Sequence, residues 1–162
     1  VSLFIDDTNS FEKYFKNAPD GELSFTATDQ RVGYRLYTMD GPFGPKTVSV
    51  HSQIGGEHLE ECTRDGHPYV VIVLFTKIAA VKKGGLPLVE AWAARGVRLR
   101  KSYPHILFVF SKDCLVDGAF MKEVGTAVKK YGYLIELYTS TTAAVRRVKS
   151  IRREWREFTE VS

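Results

Sequence analysis

Cysteine is scarce in this 162-residue chain: only Cys62 and Cys114 occur, and neither sits in a CxxC or Cys/His spacing. That argues against a structural zinc module and for a reducing compartment, while leaving a single Cys62–Cys114 bridge open. No apolar run approaches the length of a membrane span. The longest, Tyr69 to Phe75, has the size of a buried strand, and no membrane partner is expected. The first residues show no signal-peptide pattern, and a start at Val1 rather than Met suggests an excised domain or a processed chain. There is no G-x-x-x-x-G-K-[ST] and no G-x-G-x-x-G, so an ordinary nucleotide-binding loop is not expected. The four histidines, His51, His58, His67 and His105, lack metal-ligand spacing; His67 and His105 each neighbour a proline at a strand entrance. No internal repeat, low-complexity tract or linker interrupts the chain. With 44% apolar residues, one domain with a real core is the expectation.

What the chain does have is an uneven charge. The net value is +4, but residues 1–66 carry six Lys/Arg against eleven Asp/Glu, whereas residues 67–162 carry seventeen against eight. An acidic first part and a basic second part point either to a nucleic-acid face on the second or to mutual pairing.

Coarse periodicity reads as follows. Val1–Ile5 is a short strand, and Asp6-Asp7-Thr8-Asn9-Ser10 offers N-cap residues to a helix carrying Phe11, Tyr14 and Phe15. Leu23, Phe25 and Ala27, then Val32, Tyr34, Leu36 and Thr38, read as a hairpin. Residues 40–45 form a Gly/Pro loop, residues 46–52 a third strand, and Glu57–Cys62 a short helix ended by Asp65-Gly66. Tyr69–Phe75 and Ile106–Phe110 are apolar on both faces, as in central strands. Between them, Lys77–Lys83 is a short helix or turn and Leu86–Ala94 a helix with Trp92. Phe120–Lys130 is an amphipathic helix with Gly132 past its end, and Leu134–Tyr138 is a strand. Ser140-Thr141-Thr142 caps a last helix whose stripe is Val145, Val148, Ile151, Trp155 and Phe158. The fold class expected is α/β, a central mixed sheet with helices on both faces.

Three constellations bear on chemistry. Asp6-Asp7-Thr8-Asn9-Ser10 matches a D-x-T-x-S pattern able to hold Mg²⁺, though helix capping selects the same residues. Asp40 with Glu57 or Glu60 offers part of a two-metal site, though Asp40 sits among turn formers. The basic sets are Lys82-Lys83, Arg95-Arg98-Arg100-Lys101, Lys129-Lys130 and Arg146-Arg147-Lys149-Arg152-Arg153-Arg156. On the last helix the cations lie mainly off the apolar stripe, where they suit phosphate contacts. Glu154, Glu157 and Glu160 temper them, so a merely solvated face competes with that reading. Trp155 and Phe158 either pack on the sheet or anchor a partner protein.

The order of elements, with Val1-Ser2-Leu3-Phe4-Ile5-Asp6 at one end and Leu134-Ile135-Glu136-Leu137-Tyr138-Thr139-Ser140-Thr141-Thr142-Ala143-Ala144 at the other, resembles the XPF family of structure-specific DNA endonucleases. Active members carry a G-D…E-R-K-x-x-x-D signature. The matching stretch here, Val50-His51-Ser52-Gln53-Ile54-Gly55-Gly56-Glu57, places His51, Ser52 and Gln53 at the Glu, Arg and Lys positions. The resemblance therefore implies a pseudo-nuclease with no catalytic residue, no bound metal and no cofactor. It also implies a nuclear protein that pairs with a related XPF-family or helix-hairpin-helix subunit and engages branched or junction DNA in repair or meiotic recombination. No tandem helix-hairpin-helix module is present. On that reading Lys82, Lys83, Arg98, Arg100, Lys101, Arg146, Arg147, Lys149, Arg152, Arg153 and Arg156 contact DNA, and Trp155 and Phe158 contact the partner. Two alternatives stand beside it: a metal-dependent nuclease with displaced ligands at Asp6, Asp40 and Glu57, and a von Willebrand A-like or flavodoxin-like protein-interaction domain.

Overall fold

The computed structural model describes residues 34–39, 45–80, 85–95 and 104–161. Four strands, β1 (Arg35–Met39), β2 (Val70–Phe75), β4 (His105–Phe110) and β6 (Leu134–Tyr138), pair side by side in that order. Every pairing among them is parallel. The mixed sheet expected from sequence is thus a parallel sheet over the described residues. The cause lies in the connections, because each strand reaches the next through a helical crossover, which returns the chain in the same direction. The expected hairpin partner at residues 23–27 lies outside the described residues.

Parallel strands need both faces covered, and the alternation of side chains decides which helix covers what. Tyr37, Met39, Val71, Val73, Phe75, Ile106 and Phe108 face the three crossovers. Those are α1 (Pro45–Asp65), α2 (Gly85–Arg95) and a helical segment made of α3 (Gly118–Phe120), a π-helical turn (Met121–Gly125) and α4 (Thr126–Lys130). Phe75 anchors this side, with its ring centroid 5.6 Å from Phe108 and 5.1 Å from Phe120, both edge-on. Leu36, Val70, Ile72, Leu107 and Val109 face the opposite way, onto Ala144, Val148 and Ile151 of the last helix, α5 (Thr141–Val161). Ser140 caps α5 through its side-chain oxygen, which accepts from the Ala143 N–H at 3.4 Å.

The largest departure from the sequence reading is α1. Residues 46–52 are helical, not a third strand. Thr47, Val48 and Val50 are β-branched and alternate with polar residues, which suggested a strand. Pro45 at the first helical position, suited to a start, and a spacing that continues through Gly55, His58, Leu59 and Cys62 favour the helix. Gly55, His58 and Cys62 are buried on that face. The helix ends in a Schellman turn: Gly66 takes φ +70° and the His67 N–H donates to the Cys62 carbonyl at 2.9 Å. A Cβ at Gly66 would meet no neighbour, so Gly66→Ala probes backbone strain alone. It is expected to lower stability by about 1 kcal/mol. A urea melt indistinguishable from the parent would refute the left-handed turn.

Of the short helix or turn expected at Lys77–Lys83, residues 81–83 lie outside the described residues and the described part differs. Ile78–Ala79 forms a two-residue strand, β3, pairing parallel with β5 (Leu115–Val116) beyond the C-terminal ends of β2 and β4.

Candidate nucleic-acid interface

The basic residues of α5 divide between the two flanks of the helix, because residues three and four apart share a face and those five or six apart do not. One flank faces β6. There the Arg147 Nε donates to both carboxylate oxygens of Glu136, at 2.9 and 3.0 Å, and one terminal nitrogen donates to Glu154 at 2.8 Å. The Tyr138 hydroxyl donates to Glu136 as well, and the His105 Nε2 lies 3.8 Å from its second oxygen. Burial opposes the Arg147 charge, but the bonds to Glu154 and Glu136 outweigh it and hold the guanidinium above its ordinary pKa. Burial and the bond to Glu136 push Tyr138 up to about 12. Arg147, expected to contact DNA, is therefore engaged within the fold.

The other flank borders a groove. Lys149, Arg152 and Arg156, at i, i+3 and i+7, line a cavity of about 820 Å³ between α5 and the entrance of β1 and β2. The facing wall is Tyr34, Gly66, His67 and Pro68. Val145, Val148, Trp155 and Thr159 complete the lining from α5, and no described carboxylate belongs to it. Among the described residues, no Asp or Glu lies within ion-pair distance of Lys149, Arg152 or Arg156. Three cations in a concave site with no described carboxylate beside them raise the local potential more than the same charges on a convex face. Arg146 and Arg153 are exposed beside this flank, outside the lining.

Trp155 is half-buried, and its indole N–H donates to the Gly66 carbonyl at 2.9 Å. This bond ties α5 to the end of α1. Phe158 lies on α5, with its side chain outside the described set. Lys82, Lys83, Arg98, Arg100 and Lys101 also lie outside the described residues, as do Asp6 and Asp40. Glu57 is exposed on α1. Among the described residues no group of three or more His, Cys, Asp or Glu is placed to hold a metal ion. Both cysteines are free, and burial pushes the Cys62 thiol up to about 12. No helix of the described residues is long and apolar enough to cross a membrane.

The sequence reading missed Tyr34, His67 and Pro68. His67 was legible only as a histidine beside a proline; its place opposite α5 depends on a contact across more than eighty residues. It missed His58 as well, a buried histidine on the core face of α1 with its ring 4.8 Å from the Tyr69 ring. Its Nδ1 has no hydrogen-bond partner among the described residues.

Fold and groove together define a parallel α/β domain with a basic cleft along its last helix. No protein-family model, curated protein or solved structure matches the chain.

Proposed function

We propose that this domain binds nucleic acid through the α5 groove and does so without catalysis, as a DNA-engaging subunit that works beside a related nuclease-type partner. The observation that carries the reading is the convergence of Lys149, Arg152 and Arg156 on one cleft whose described lining holds no carboxylate. Such a cleft suits phosphate, the dominant source of affinity for nucleic acids. It has none of the paired anionic oxygens that a hard cation requires. The setting on branched DNA in repair or recombination comes from the resemblance to the XPF family. One strand of that resemblance drops out: His51, Ser52 and Gln53 lie on α1 rather than on a sheet strand, so they do not stand where a Glu-Arg-Lys motif would.

Charge reversal tests the groove. A triple variant, Lys149→Glu/Arg152→Glu/Arg156→Glu, is expected to lose most binding to a labelled DNA junction at low salt. Its log–log salt slope should fall by about 2–3, one phosphate contact per cation. Arg146→Glu/Arg153→Glu, outside the groove, should lose much less. Anisotropy titrations across a salt series with Mg²⁺ present read both effects, and a denaturing gel of the same samples reads cleavage. Wild-type affinity in the triple variant would remove the groove from the model, and cleavage by the parent chain would overturn the non-catalytic reading.

A further inference from the structure

The groove is not uniformly polar, and its two parts suit different portions of one ligand. Lys149, Arg152 and Arg156 follow one another along the helix axis at steps of about 4.5 and 6 Å, from the rise per residue. That is a linear array on the scale of neighbouring phosphates in an extended strand. Beneath and beside it the lining turns apolar, with the partly exposed Val145 and Trp155 of α5 at the surface and Val148, Pro68 and Tyr34 buried behind them. The indole is held in place by its bond to Gly66, so this wall is set before any ligand arrives.

We infer that the groove takes a short unpaired stretch of nucleic-acid strand rather than a duplex, its phosphates on the three cations and its bases over the apolar wall; this rests on the binding reading above. A duplex turns sugar and phosphate outward and keeps its base faces stacked inside, so it would satisfy the cations and leave the apolar wall unmatched. An unpaired strand presents both parts at once, and apolar or aromatic contact with bases adds affinity with little sequence preference. The cavity, at about 820 Å³, is in the range that holds one small ligand. It has room for a nucleotide or two. The shared chemistry is that of single-stranded DNA and RNA alike, and the sugar is left to the test.

Trp92 and Trp155 are the only tryptophans, so a Trp92→Phe chain reports on the groove wall through the emission of Trp155. The ligands are an oligothymidylate, an oligouridylate of equal length, a hairpin duplex and inorganic polyphosphate. Competition anisotropy on the unsubstituted chain, with the same four ligands, guards against a poorly folded variant. Expected is binding of the oligothymidylate or the oligouridylate at least about tenfold tighter than duplex or polyphosphate, accompanied by a change in Trp155 emission. Whichever of the two binds more tightly identifies the sugar. Equal or tighter binding of duplex or polyphosphate, with Trp155 emission unmoved, would overturn the inference and leave the phosphate-binding reading intact. No binding of any ligand at low salt would overturn both.

Discussion

Lowering the pH from 7 to 4 is expected to cost the domain about 3 kcal/mol through His58 alone, a large share of a stability that for most domains is only about 5–15 kcal/mol. Burial, and secondarily the neighbouring Arg35 guanidinium, lower the His58 pKa from 6.5 to about 3. In the unfolded chain the imidazole takes up its proton near pH 6.5; in the native state it stays neutral until about pH 3. Between those values the unfolded state binds more protons, so stability is full above pH 6.5 and falls steadily as the pH drops toward 3.

Among the described residues, the neighbouring charge adds to the effect of burial. Arg35, on β1, reaches toward Glu61 at 3.9 Å, with its side chain 12% exposed. A second cation at His58 would arrive in a pocket that already holds one. Carboxylates titrate over part of the same range, so the informative quantity is a difference. Urea melts of the parent and of His58→Phe at pH 7, 5.5 and 4 should diverge, with the variant gaining relative stability as the pH falls. The aromatic replacement keeps a ring against Tyr69 and removes both the titration and the unpaired Nδ1, whose loss alone is close to neutral or favourable. Parallel pH profiles for the two chains would show that His58 is not held neutral in the fold.

Glu136→Ala is expected to destabilise the domain by about 2–3 kcal/mol, which for a chain of this length lowers Tm by roughly 6–9 °C. Glu136 is the hub of the flank of α5 that faces β6. It accepts two bonds from the Arg147 Nε and one from the Tyr138 hydroxyl, and it lies 3.8 Å from the His105 Nε2. Its removal leaves the guanidinium, whose side chain is only 25% exposed, with Glu154 as its ion-pair partner among the described residues. Breaking a well-buried ion pair from one side costs about 3–5 kcal/mol. The partial exposure of both Glu136 and Arg147 scales that down, because solvent screens what remains. Arg153→Glu, on the exposed part of the same helix, should change stability by less than about 0.5 kcal/mol. Thermal melts of the two variants separate the roles of the two arginines: Arg147 fastens α5 to the sheet, while Arg153 does not. A Glu136→Ala chain melting with the parent would mean that the network contributes nothing.

This division explains why the run of cations on α5 was legible in sequence while its function was not. Helical periodicity separates Arg147 from Lys149, Arg152 and Arg156, although the sequence reading placed all of them on DNA. It does not say which flank meets Glu136 and which meets open space, since Glu136 lies on the face of β6 that α5 covers only once the sheet is assembled.

Local chemistry determined a good part of the fold. Two apolar runs wrote β2 and β4, and a shorter apolar stretch around Glu136 wrote β6. Ser140 and Gly132 marked the start of one helix and the end of another, each through a local hydrogen bond or a φ that needs no distant partner. Where local signals conflicted, tertiary packing decided. Residues 46–52 carry β-branched side chains in an alternating pattern, yet they begin a 21-residue helix that buries Gly55, His58 and Cys62 against the sheet. Burial along a continuous helical face outweighs a propensity difference of a few tenths of a kcal/mol per residue. The parallel sheet and the groove are likewise tertiary. Strand direction follows from helical crossovers, and the groove joins Tyr34, the end of α1 and the flank of α5, three segments that only the folded sheet brings together.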